Sequence, residues 1–101
     1  MPQSQVILNI VCKVCKVSVS KLLSPLRTGH IYEARMLAVR FLEANGETHE
    51  TISWILNRTR PSITYTSKAH KLEYEHNKLF RQQCEIIKSK LDEQAGTAQS
   101  V

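Results

Sequence analysis

Apolar residues recur along this chain at helical spacing, with no convincing strand pattern beside them. In residues 3–17, Val6, Ile7, Ile10, Val11 and Val14 fall on one face of a helix. Their β-branched side chains would also suit a strand, but no second strand exists to pair with it, and an unpaired strand strands its backbone polar groups. Val17 to Leu26 reads as a short helical turn, capped by Ser18 or Ser20, anchored by Leu22 and Leu23 and ended by Pro25. Residues 27–30 form a loop. The strongest helix is predicted from Ile31 to Ala44, where Ala34, Leu37, Ala38, Phe41 and Leu42 make a continuous stripe; Arg35 and Arg40 fall outside it, and Gly46 stops it. A last helix is predicted over residues 78–91, capped by Asn77, with Leu79, Phe80, Gln83, Cys84, Ile87 and Leu91 on one face. Beyond Glu93 the chain is small, polar and aperiodic, and residues 95–101 are expected to form a disordered tail.

Between the strongest and last helices lies the most informative stretch, Thr48 to Tyr74. Ile52, Ile55 and Leu56 give a first short helix an apolar face, and the Thr48 hydroxyl is placed to cap it. Asn57 tolerates the left-handed backbone that ends a helix. A second helix restarts at once, with Thr59 as N-cap and Pro61 in the first turn, where a missing N–H costs little. Ile63, Ser67, His70 and Tyr74 then share one stripe. Two helices crossing steeply need a small residue at their contact, a reversal after it and an apolar residue in the angle between them. Ser53, Asn57 and Ile63 fill those roles, which is a helix-turn-helix pattern. The expected fold is therefore an all-α, small helical bundle of about five to six helices: a single domain over residues 1–94, with its helix-turn-helix core at 48–74.

Composition narrows the function. The chain has 101 residues and a formal charge of +5, enough for one modest core and consistent with a polyanionic partner. No apolar run approaches a membrane span, and no secretory leader is expected. Three cysteines cannot all pair within one chain, which favours a reduced, cytoplasmic setting. Cys12 and Cys15 have C-x-x-C spacing, but a zinc site would have to recruit Cys84, His70 or His76 through the fold. Ordinary helix-packing thiols are the simpler reading, so no metal or other cofactor is expected. There is no glycine-rich phosphate loop. Glu47, His49 and Glu50 complement the start of a helix. His70 and Cys84 lie on expected core faces, so no catalytic set is identified.

From about Ile10 to Leu72 the order of elements resembles the C-terminal DNA-binding domain of the bacterial chromosomal replication initiator, DnaA, within the Trp repressor-like helix-turn-helix superfamily. The family's V-x-x-L-L-S turn is present as VSKLLS, residues 19–24. Its basic loop and A-R-x-x-A helix are present as RTGHIYEARMLAVRFL. Its signature I-G-x-x-F-G-G-R-D-H-T-T-V is matched by ISWILNRTRPSI, with one residue fewer in the turn. Arg58 takes the signature arginine, Ser62 the second threonine and Ile63 the core valine. Thr59, Arg60 and Pro61 stand where the family has aspartate, histidine and the first threonine, and Pro25, Leu26 and Gly29 thin the basic loop. This shorter turn and longer C-terminal helix look like those of small stand-alone proteins of phages and mobile elements.

The resemblance implies binding to double-stranded DNA, in replication initiation or its regulation, without the initiator's ATPase motor. Arg60, Ser62 and Thr64 would face the bases, with Arg60 able to grip guanine through two donors. Arg27, Arg35, Arg58, Thr59, Lys68 and Lys71 would hold the phosphate backbone. Transcriptional regulation in a phage or mobile element, or binding to a replication or regulatory protein, are the alternatives. The expected setting is the nucleoid of a bacterial or phage-infected cell, with a monomer favoured.

Overall fold

The helical periodicity is realised as six helices in a computed structural model of the chain, which describes residues 3–26 and 28–99. They are α1 (Gln3–Cys15), α2 (Val19–Leu22), α3 (Gly29–Ala44), α4 (His49–Ile55), α5 (Arg60–His76) and α6 (Lys78–Gln99). No strand occurs among the described residues, so the ambiguous N-terminal segment is helix.

Helix α3 is the spine. It packs against α1, α2, α4 and α5, while α6 lies against α1 and α5. Its stripe of Ala34, Leu37, Ala38 and Leu42 is buried, joined by Ile31, Met36 and Val39. The small alanines let neighbouring helices approach closely. Helix α1 buries a wider sector than its β-branched residues indicated: Ile7, Leu8, Ile10, Val11, Cys12 and Cys15 are all buried. It is covered on two sides, by α3 and by α6, which contributes Phe80, Cys84 and Ile87.

The helix ends follow local chemistry. Ser18, rather than Ser20, caps α2, its side chain accepting from the Lys21 N–H. Gly46 ends α3 with a positive φ of 92°, which a glycine adopts without a Cβ penalty. Asn77 caps α6 through Oδ1, 3.1 Å from the Phe80 nitrogen. Two boundaries differ from expectation. Helix α3 begins at Gly29, before its apolar stripe, because extended Thr28 serves as N-cap and its carbonyl accepts from Tyr32. Helix α6 runs on to Gln99 instead of ending near Leu91, through a stretch whose composition carries no apolar period.

Lys16 ends α1 in the left-handed conformation, with φ 58°. The Val17 N–H then reaches back to the Cys12 carbonyl at 3.0 Å, closing the helix. A lysine gains nothing from this backbone geometry and carries its Cβ cost. Lys16→Gly is expected to raise stability by about 1 kcal/mol, seen as a higher urea midpoint with unchanged slope.

Candidate nucleic-acid interface

The helix-turn-helix is built by its caps. Thr48 accepts from the Thr51 N–H at the start of α4, and Thr59 accepts from the Ser62 N–H at the start of α5. Between them Asn57 takes φ 55°, and the Arg58 N–H returns to the Ser53 carbonyl at 2.9 Å. Ser53 is buried where the helices meet, and its hydroxyl folds back onto the Glu50 carbonyl. Ile63 fills the angle between the helices, 1% exposed. The reversal therefore takes only residues 56–59, and α5 leaves it with Ile63, Thr66, Ser67 and His70 turned inward.

The opposite face of α5 is solvent-exposed. Lys68 lies on it; Arg60, at the first position of the helix, and Lys71, on its flank, are exposed as well. Ser62 is half-buried, and Thr59 is exposed while its hydroxyl oxygen serves as the helix cap. Arg27 lies outside the described residues.

Three expected contacts are altered by the fold. Arg35 is not a surface cation: it is 5% exposed, and its guanidinium donates to the carbonyls of Leu22 (Nε, 2.9 Å), Ser24 and Leu26. It holds the chain between α2 and α3 in shape, which removes it from the phosphate-binding set. Thr64 is half-buried, and its hydroxyl lies 3.1 Å from His49 Nδ1, so it does not present its polar group outward to a base. Arg58 is half-buried as well, with Nη2 donating to the Ser24 carbonyl that also receives Arg35. The turn of the helix-turn-helix is thereby clamped to the α2–α3 connection, a structural duty additional to any phosphate contact.

Behind this surface sits a polar network centred on Glu43. Its carboxylate accepts from Ser67 Oγ (2.6 Å), His70 Nε2 (2.7 Å) and His49 Nε2 (2.5 Å), joining α3 to both helices of the motif. With Nε2–H donating to Glu43, Nδ1 of His70 accepts from the Arg40 guanidinium at 3.3 Å. Arg40 in turn stacks over the Tyr74 ring, 3.9 Å from its centroid. Burial opposes ionisation of Glu43, but the hydrogen bonds from Ser67, His70 and His49 together outweigh it and hold the carboxyl below its usual range. Burial lowers the His70 pKa, with Arg40 and Lys71 adding to the fall and Glu43 opposing it. The histidine expected to be packed in the core is therefore packed, 2% exposed, and neutral at physiological pH.

Sequence reasoning passed over two surface features. Tyr65 is 69% exposed on the outer face of α5 and Trp54 73% exposed on α4. Tyr65 lies four residues after Pro61 and opposite the Ile63–Ser67–His70 stripe, so the helical period was sufficient to place it. Tyr65 also borders a recess of about 310 Å³ between α3 and α5, lined by Tyr32, Arg35, Arg58, Ser62 and Thr66 over an apolar floor that includes Val39 and Ile63. Among the described residues no carboxylate lines it.

The cysteines belong elsewhere. Cys12 and Cys15 on α1 and Cys84 on α6 are free thiols, all buried. Burial pushes the Cys15 thiol up to about 12, helped by Glu33 and Cys12, and raises the other two. Among the described residues no group of three or more His, Cys, Asp or Glu is arranged to hold a metal ion, and no helix is long and apolar enough to cross a membrane. No protein-family model and no curated protein matches the chain.

Proposed function

We propose that the chain is a non-enzymatic module that binds double-stranded DNA through α4 and α5, acting in replication initiation or its regulation. The observation that carries this reading is the geometry of the α4–α5 pair. A capped four-residue reversal joins the helices, and α5 exposes Arg60 at its first position, Lys68 on the face away from the core and Lys71 on its flank. A helix so mounted fits the major groove, with its N-terminal residues against base edges and its lysines near the flanking phosphates. The resemblance to the initiator's DNA-binding domain adds the replication context. Transcriptional control in a phage or mobile element would use the same surface.

Selection from a random duplex library at two salt concentrations tests the proposal. An enriched motif with steep salt dependence supports it. Arg60→Ala is expected to relax preference at one base pair and cost about 1–3 kcal/mol on the selected site, while Lys68→Ala weakens all sequences alike and lowers the salt slope by about one. Absence of binding at low salt would sink the proposal. A second reading, docking to a replication or regulatory protein, draws support from the exposed Trp54 and from the withdrawal of Arg35 into the fold. Its affinity for that partner would stay constant as salt rises.

A further inference from the structure

We propose that Tyr65 is a further base-reading side chain of α5, beside Arg60, and that it receives the 5-methyl group of a thymine. The inference rests on the DNA-binding reading and names what that surface selects: a duplex site with a T·A pair opposite the first two turns of α5.

The rotation of α5 about its axis is fixed by packing. Ile63, Thr66, Ser67 and His70 are buried against the bundle, and Ser67 and His70 are further tied to Glu43. The opposite stripe, at helical offsets of four, three and four, is Pro61, Tyr65, Lys68 and Leu72, all exposed. Whatever lies against the N-terminal half of α5 meets this stripe first. Pro61 has no donor and a short side chain. Lys68 and Leu72 stand one and two turns beyond Tyr65. Tyr65 is thus the largest group on the leading part of the face, and 69% of it is open to a partner.

Three of the polar residues around it are occupied by the fold. The Thr64 hydroxyl is turned to His49, Thr66 Oγ1 donates to the Ser62 carbonyl at 2.9 Å, and Arg58 clamps Ser24. The phenol ring brings an apolar face and edge that these residues lack. Among the groups displayed in the major groove, the thymine methyl is the apolar one, and contact with it distinguishes T·A from the other pairs. The hydroxyl at the ring's far end can still donate to or accept from a neighbouring base edge or phosphate.

The test uses the full chain and its selected duplex. Each thymine of that site is replaced in turn by deoxyuridine, which removes the methyl and nothing else. At one position the wild-type protein and Tyr65→Phe should each lose about fourfold in affinity, the value of one buried methyl, whereas Tyr65→Ala should bind both forms equally. Because Tyr65 is exposed, all three proteins should share one circular-dichroism spectrum and urea midpoint. If the three respond alike to uracil at every position, Tyr65 reads no methyl and the inference falls while DNA binding stands. Binding without an enriched motif also overturns the inference and leaves a non-specific module. No binding of the wild-type protein at low salt overturns both.

Discussion

Arg35→Ala is expected to lower stability by about 3–5 kcal/mol, because three carbonyls lose a charged donor at once and each such loss costs about 1–3 kcal/mol. That is a large fraction of the roughly 5–15 kcal/mol that holds a domain together. The guanidinium is buried and donates to three carbonyls of the α2–α3 connection, those of Leu22, Ser24 and Leu26. Alanine would leave all three acceptors without this donor and open a void beside Val39 and Ile63. Arg35→Lys should recover only part of the loss, since one ammonium cannot reproduce the planar fork. Urea denaturation reads the effect as a lower midpoint. Duplex affinity, measured where the variant is still fully folded, should be nearly unchanged. A variant as stable as wild type but weakened on DNA would reverse the assignment and return Arg35 to the phosphate contacts.

Glu43→Ala should cost about 2–4 kcal/mol at neutral pH, because three donors from two other helices lose a charged acceptor at once. The loss would be felt across the α3–α4–α5 junction, since His49, Ser67 and His70 all bond to this one carboxylate. The same cluster sets the acid response. Glu43 has a folded pKa below its ordinary value, so its contribution is complete above the usual carboxylate range and disappears as pH falls through the folded value. His70 is also lowered, which means the fold prefers the neutral ring. As pH drops below the usual histidine range, the unfolded chain takes up that proton first, and stability falls until the folded ring titrates as well. Both groups therefore act in one direction: the urea midpoint should decline steadily from about pH 7.5 to pH 4. His70→Asn should flatten the upper part of that decline and Glu43→Gln the lower part. A midpoint independent of pH in the wild-type protein would rule the cluster out as the determinant.

What was legible in the sequence was local. Thr48, Thr59, Asn77 and Gly46 act within a turn of where they stand, and their caps follow from residue type and neighbouring period alone. The packed role of His70 followed from its place on the α5 stripe. What was not legible depends on partners far along the chain. Arg35 lies four residues after Ile31 and seven before Leu42, squarely within the buried sector of α3, but its charge argued for the surface. The carbonyls of the preceding connection, nine to thirteen residues away, make its burial tolerable. Thr64 was assigned outward because the N-terminal turns of such a helix face the groove. The hydroxyl acceptor that turns it inward comes from α4. The Glu43 cluster joins residues up to 27 positions apart, each unremarkable in its own segment.

The buried thiols separate this protein's chemistry from its redox surroundings. Nucleophilic attack and oxidation both proceed through the thiolate, and burial disfavours that form at Cys12, Cys15 and Cys84 alike. While α1 and α6 remain closed over them, neither an oxidant nor an alkylating reagent finds a reactive sulfur. Modification must wait for those helices to part, so its pace is set by how often they open and not by the strength of the reagent. The pair that encloses the thiols is thus a kinetic shield.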